Sequence, residues 1–326
     1  MCVSLGKDMK ADNFTNKQKG DYKSLVTTYT ETRAGFVDLA LEKNRIATPF
    51  VEQARSLKLD ASKAKSPDDL LRMPKIRSAM LKAAGLSDKA ETHLEESDKE
   101  LAIQNLVDKF LKPAGTGFVE ELVYRFLLTK GDTLGGSMRN IGGAWAKRKF
   151  ASVIVARLRN AGVKIEFLLN SSKQWVDGEQ EVNIETIKGL SWKTVNKQRT
   201  ILFDMTVDLV DKKNIDVCLF SLCNVDRDSK AFQNAANYIA LGELKGGIDP
   251  AGADEHWKTG NSALSRIRKA FASRTIKPKT FFVAAAIEEA MAKEIWGQLQ
   301  DKTLSSAANL NKREQLDKLC DWLINL

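Results

Sequence analysis

The sequence predicts an α/β or α+β chain, with a largely helical first part followed by a core in which strands alternate with helices. Two observations carry this. Up to about Lys130, apolar residues recur at three- and four-residue steps, as in Phe36, Leu39 and Ala40, with few β-branched clusters between them. Beyond Asn160 the pattern changes to short apolar runs with β-branched content, interleaved with helical periodicity.

In the helical part, starts and stops are marked by Ser66-Pro67-Asp68, by Gly85-Leu86-Ser87-Asp88 and by Pro113-Ala114-Gly115, which are capping or loop signals. A further helix is expected from about Gly143 into Arg159, closed by Asn160-Ala161-Gly162. Five strand-like runs follow: VKIEFLLN from Val163, TILFDMTVDLV from Thr200, NIDVCLFSL from Asn214, NYIALGELK from Asn237 and TFFVAAAI from Thr280. Between the last two, Trp257, Leu264, Ile267 and Phe271 share one face of a helix whose start Gly260 obscures. Two amphipathic helices, about Ala285 to Gln300 and Arg313 to Leu326, complete the order, with no internal repeat or low-complexity segment.

A length of 326 residues exceeds one typical core, so two packed regions or one elaborated domain are both open. Hydrophobic residues at 43% and charged residues at 29% give the balance of a folded globular chain and exclude a disordered or fibrous one. No apolar run approaches the roughly 18 to 20 residues that span a bilayer, and the start lacks a signal-peptide core, so a cytoplasmic protein is expected. Cys2, Cys218, Cys223 and Cys320 form no CxxC pair and are expected as reduced, buried thiols. With His93 and His256 the only histidines, a zinc finger has little material.

The formal net charge of +9 favours a polyanionic partner, and its distribution says more. From Thr133 to Lys164 there are seven basic residues (Arg139, Lys147, Arg148, Lys149, Arg157, Arg159 and Lys164) and no acid. From His256 to Ile287 there are seven more, Lys258, Arg266, Arg268, Lys269, Arg274, Lys277 and Lys279, again without an acid. Residues 201–250 hold eight acids against five basic side chains. An acidic island between basic flanks suits metal ions bound beside phosphates; solvated helix faces are the plain alternative.

Within the island, strand alternation sends Glu243 and Lys245 of LGELKGG to one side and Leu244 to the other. Asp216 opens the preceding strand, and pairing of the two strands would set its carboxylate beside Glu243. Phosphodiester hydrolysis needs such a set. Two hard carboxylates hold Mg²⁺, which polarises the phosphate and acidifies a bound water, while an ammonium orients that water or stabilises transition-state charge. The Leu244 backbone carbonyl is a further candidate ligand, and Gly246-Gly247 permit a turn that brings backbone close to DNA. As a string the pattern is weak, since Asp8-Met-Lys10, Asp21-Tyr-Lys23 and Asp211-Lys212-Lys213 also occur. Glu243-Leu244-Lys245 is the one E-x-K in the sequence and ends a long strand-like run, and a polar, acidic, Gly-rich segment follows it to Trp257. An exposed strand end with a cross-strand salt bridge is the alternative.

Longer runs carry a resemblance. YIALGELKGGIDPAGADEHWKTGNSALSRIRKAF, TRAGFVDLALEKNRIATPF, FLKPAG, ELVYRFLLTKGDTLGGSMRNI and CDWLINL together resemble the AvaI/BsoBI family of type II restriction endonucleases, of the PD-(D/E)xK nuclease superfamily. The likeness covers nearly the whole chain and is weakest before about Leu25 and between Leu169 and Ile201. It implies a restriction-endonuclease-like mixed-sheet core flanked by helices, with residues 1–130 as a helical, DNA-embracing region and 131–326 as the catalytic domain. It places the metal-binding acids on Asp216 and Glu243, the active-site lysine on Lys245, and on His256 an active-site histidine that would help deprotonate the attacking water. It sets Lys89, Lys213 and Asp249 against bases, where aspartate accepts from cytosine N4 and lysine donates to guanine O6 or N7. A solvated helix charge, a turn lysine and a turn former before Pro250 are the plain readings of those three. The resemblance further implies a Mg²⁺-dependent homodimer enclosing double-stranded DNA and cleaving both strands of the degenerate palindrome CYCGRG with 5′ overhangs. It also implies a cognate DNA methyltransferase that protects host DNA without stable binding. Ser221 to Asn237, which joins the two catalytic strands, departs from the family in length; if it shapes DNA entry, site preference shifts while the chemistry stays.

Two rival readings stay open on sequence alone. One is a non-catalytic DNA-binding or DNA-enclosing protein whose acids only balance nearby basic residues. The other is a repair or structure-specific nuclease of the same fold.

Overall fold

The structure, a computed structural model, describes residues 21–179, 182–224, 230–274 and 276–326, apart from the side chains of 136–140 and 230. Cys2 and the Arg139 side chain lie outside the described residues. The chain divides into two compact units, one of Val37–Ile141 and one of the described residues up to Phe36 together with Gly142–Leu326.

Helices come first, as the periodicity predicts: α1 (Tyr29–Ala61), α2 (Arg77–Ala83), α3 (Asp88–Glu91), α4 (Glu96–Leu106) and α5 (Phe118–Asn160). The predicted punctuation is real. Ser66 forms a capping box with Asp69, and Ser87 Oγ accepts the Ala90 N–H at 3.1 Å to start α3. Gly85, Gly115 and Gly162 adopt φ of +91°, +57° and +69°, the left-handed region where a Cβ is penalised. The helical unit has its own core, including Leu57, Leu70, Met80, Leu106, Leu122 and Phe126.

One helix differs from expectation. α5 runs unbroken from Phe118 to Asn160, where the sequence predicts a new start near Gly143. Each interior glycine costs about 1 kcal/mol relative to alanine, a penalty that burial of the helix face outweighs: Phe150, Ile154 and Leu158 are fully buried.

Among the described residues, eight strands form one sheet in the order β2-β1-β3-β4-β5-β6-β7-β8. They are β1 (Ile165–Leu169), β2 (Trp175–Asp177), β3 (Ile187–Lys193), β4 (Gln198–Val207), β5 (Lys213–Phe220), β6 (Tyr238–Lys245), β7 (Lys279–Ala284) and β8 (Ser306–Asn309). Pairing is antiparallel from β2 through β6 and parallel from β6 through β8, the mixed sheet that the resemblance implies. Helix α6 (Ala253–Ala272) links β6 to β7, and α7 (Glu289–Gln300) links β7 to β8. Helix α8 (Arg313–Asn325) follows β8.

Adjacent residues of β7 show the layers. The Phe281 ring centroid lies 6.3 Å from Phe150 of α5 and 6.1 Å from Trp322 of α8, whereas Phe282 lies 5.0 Å from Trp257 of α6. Successive strand side chains point to opposite faces, so α5 and α8 cover one face and α6 the other.

Three strands escape the sequence reading. β3 (IKGLSWK) carries a glycine and two lysines, β8 (SAAN) has only small side chains, and β2 is three residues long. Their strand state comes from sheet neighbours rather than from an apolar run. The helix predicted from Ala285 begins instead at Glu289. Ala285 donates its N–H to the Lys245 carbonyl at 2.9 Å, and the Thr27 hydroxyl bridges the Ala285 carbonyl and the Ile287 N–H at 3.0 and 2.9 Å, which holds the segment extended.

The basic run on α5 is acid-free only along the chain. Lys147 pairs with Asp204 at 3.2 Å, Arg148 with Glu185 at 2.5 Å, and Arg157 with Asp321. Cys218 and Cys320 are buried free thiols and Cys223 is half-buried. Among the described residues, no helix is long and apolar enough to cross a membrane.

Phe281→Ala should lower unfolding free energy by about 3–5 kcal/mol, the usual range for a fully buried phenylalanine. Urea unfolding followed by circular dichroism measures it, and a loss below about 1 kcal/mol would contradict the packing of Phe281 against both helices.

Candidate active site

Strands β5 and β6 pair with Val217 opposite Gly242, which makes Asp216 and Glu243 the next opposed positions. There the backbone ladder gives way to a side chain. Asp216 Oδ2 accepts the Leu244 N–H at 2.8 Å and the Lys245 ammonium at 3.2 Å, and that ammonium also donates to Glu243 Oε2 at 2.7 Å. The three residues singled out from the sequence therefore converge.

Glu243 is 4% exposed, and its Oε1 is buried without a hydrogen-bond partner among the described residues. A buried carboxylate oxygen left bare is costly, so this atom marks where a cation fits. The N–H and C=O of a strand residue point to the same edge. The Lys245 carbonyl is taken by Ala285 on the β7 side, so the Leu244 carbonyl faces the Asp216 side. Among the described residues, no group of three or more His, Cys, Asp or Glu side chains could hold a metal. The donor set is thus two carboxylates and one carbonyl. It is all oxygen and incomplete, which suits a hard cation that keeps water or phosphate oxygens and does not suit zinc.

Burial, and then the Asp216 carboxylate, push the Glu243 pKa up to about 7 against the pull of Lys245. Burial opposes the charge on Lys245, but Glu243 and Asp216 outweigh it and its pKa is raised. One ammonium does not balance two carboxylates, so Glu243 holds its proton to higher pH than a free carboxyl does.

Helix α6 brings the fourth residue. Trp257, Leu264, Ile267 and Phe271 are buried along it, as their spacing predicts. Gly260, which clouded its start, is there because a Cβ would lie 2.6 Å from Phe282 Cε2; it would also come within 3.7 Å of Lys245 Cε. His256 stands one turn earlier on the same face. Desolvation, and then Lys245, lower its pKa, which leaves the imidazole neutral near pH 7.

Gly246 and Gly247 are required for a different reason from the one the sequence suggests. Neither has a positive φ. A Cβ on Gly246 would overlap the Gly142 carbonyl of α5, and one on Gly247 would overlap the His256 ring, so both glycines let protein approach protein. These partners escaped the sequence reading, whose only available signal was glycine inside a helix.

The residues expected at bases belong to different elements. Asp249 is exposed, and its Oδ1 accepts the Ala251 N–H at 3.0 Å, capping the turn Pro250–Gly252. Lys213 is exposed at the start of β5, opposite Val207. Lys89 belongs to the helical unit, where the buried Lys82 ammonium pairs with Asp88 at 2.7 Å and with Glu91, leaving Lys89 between them exposed on α3. Residues 225–229 of the Ser221–Asn237 connection lie outside the described residues.

Over residues 16–326 the sequence matches the family described as Restriction endonuclease BsobI. The chain belongs to that family. It is 55% identical over 304 residues to the type II restriction enzyme AvaI of Nostoc sp. and to that of Anabaena variabilis, covering 93% of this chain and 96% of each relative. It is 50% identical over 309 residues to the type II restriction enzyme BsoBI of Geobacillus stearothermophilus, covering 93% and 95%. The resemblance drawn from the motifs holds, and this BsobI-family chain is an enzyme of the type II restriction class with the mixed-sheet fold expected of it.

A carboxyl whose pKa is higher folded than unfolded binds its proton more tightly in the folded state. The stability Glu243 contributes is therefore complete below its ordinary value of 4.5 and is lost as pH rises through about 7. With a chelator present, melting of the parent relative to Glu243→Gln should fall across that window; a flat difference would show that Glu243 is not held protonated.

Proposed function

We propose that this chain is a Mg²⁺-dependent type II restriction endonuclease that hydrolyses both strands of duplex DNA at a short degenerate palindrome, CYCGRG, leaving 5′ overhangs with 5′-phosphates. The observation behind this reading is the convergence of the half-buried Asp216 and Lys245 on the buried Glu243, with Glu243 Oε1 unpartnered among the described residues, in a chain at least 50% identical to type II restriction enzymes.

Asp216, Glu243 and the Leu244 carbonyl hold the cation. When bound, Mg²⁺ supplies Lewis-acid polarisation of the phosphate and a lower pKa for a nearby water. His256, neutral near pH 7, accepts the proton that the attacking water loses. The water oxygen forms the new bond to phosphorus, the bond from phosphorus to the 3′ oxygen breaks, and that oxygen takes a proton from solvent, giving a 3′-hydroxyl and a 5′-phosphate. The Lys245 ammonium stabilises the charge that builds on the phosphate oxygens as this happens.

Recognition divides between lysines and arginines on phosphates and a few residues on base edges, here Lys89, Lys213 and Asp249. The helical unit embraces the duplex. A twofold site calls for a twofold protein, so the working form is a homodimer. A cognate methyltransferase protects host DNA in the cytoplasm without binding this chain stably.

A sequenced plasmid incubated with Mg²⁺ should give discrete bands whose ends can be ligated. Smears or nicks would favour a structure-specific nuclease, and intact DNA a non-catalytic binder. Lys245→Ala should bind the site specifically while cleavage falls by roughly a hundredfold or more, since its charge acts chiefly in the transition state. Cleavage at the parent rate would remove Lys245 from the mechanism.

A further inference from the structure

The segment that follows the catalytic strand lies in a slot formed by two missing side chains. Gly246 succeeds Lys245, and the space a Cβ would need there is filled by the Gly142 carbonyl, with Ala146 Cβ 2.9 Å away. Conversely, a Cβ on Gly142 would lie 3.2 Å from the Gly246 carbonyl oxygen and 3.6 Å from the Gly247 nitrogen. At Gly35 of α1, a Cβ would overlap Cγ1 of the buried Ile248. Gly247 itself borders the His256 ring, whose Nδ1 would be 3.0 Å from a Cβ there.

All of these contacts lie within the unit that carries the sheet. Close-packed contacts transmit displacement rather than absorb it. The Gly142–Gly246 contact is backbone against backbone and has no rotamer to relax, and at Gly35 the neighbour is the buried Ile248 side chain.

We propose that Gly35 and Gly142 are positioning residues for catalysis. The course of α1 at Gly35 and of α5 at Gly142 sets where Gly246–Ile248, and with them Lys245 and His256, stand. This positioning role rests on the active-site assignment made above.

The test compares Gly35→Ala, Gly142→Ala, Gly143→Ala and the pair Gly35→Ala with Ile248→Ala, each as full-length protein. Cleavage constants, the pH–rate profile, specific DNA affinity in Ca²⁺ and thermal melting are measured for each. In Gly35→Ala and Gly142→Ala, kcat should fall by about tenfold or more, as for displacements of a fraction of an ångström in a reacting site. Affinity and melting should stay at the parent values, and the pH profile should shift because His256 borders Gly247. Gly143→Ala should match the parent, since a Cβ there meets nothing within 4 Å. Ile248→Ala, which removes the overlapped atom, should restore most of the rate lost by Gly35→Ala.

Parent-like kcat in both glycine variants, an equal loss in Gly143→Ala, a loss confined to affinity or melting, or no rescue by Ile248→Ala would each overturn the positioning role. If Gly142→Ala does not fold, the Gly35 and Ile248 pair decides alone. Glu243→Ala that cuts like the parent would instead sink the active-site assignment, and the positioning role with it.

Discussion

Two carboxylates and one ammonium meet at the junction of β5 and β6, and the ammonium cannot neutralise both. Lys245 reaches Asp216 and Glu243 together, and one oxygen of Glu243 is still left bare in a buried place. The local structure answers that imbalance. The Glu243 pKa is raised to about 7, the His256 imidazole is neutral near pH 7, and Glu243 Oε1 has no hydrogen-bond partner among the described residues.

The scaffold makes such an arrangement affordable by placing it where pairing changes character. β6 is antiparallel to β5 on one side and parallel to β7 on the other. Its last residues leave the β5 ladder, so an Asp216 oxygen takes the Leu244 N–H, while β7 continues to hold the strand through Ala285. The site is thus held along one edge by backbone pairing and along the other by the Asp216 side chain. Aromatic packing on both faces of β7 anchors the held edge, with Phe281 against Phe150 and Trp322, and Phe282 against Trp257. The parallel connection through α6 delivers His256 on the same crossover that secures the strand.

Charge illustrates how a linear count differs from a spatial one. The first acid-free run lies largely on α5, and acids from β4, from the segment before β3 and from α8 come to meet it. Several of its side chains are therefore engaged in ion pairs within the fold, and the positive excess left for a polyanion is smaller than the run suggests. Surface pairs of this kind contribute little stability each, so their effect is mainly on which cations face outward.

The chain by itself determined the helical first part, five strands, the capping signals and the trio Asp216, Glu243 and Lys245, because periodicity and strand alternation are local rules carried by neighbouring residues. It also determined the family, since long motifs such as YIALGELKGGIDPAGADEHWKTGNSALSRIRKAF specify far more than a three-residue pattern. Tertiary structure decided the rest. β3 and β8 are strands because partners on each side supply the hydrogen bonds that their mixed or small side chains do not advertise. α5 passes through its glycines because a distant loop and an aromatic core reward its continuity, and Gly246 is glycine because a carbonyl more than a hundred residues earlier occupies the space of its side chain. Such requirements are set by atoms that meet only after the chain has folded, so no window of sequence contains them.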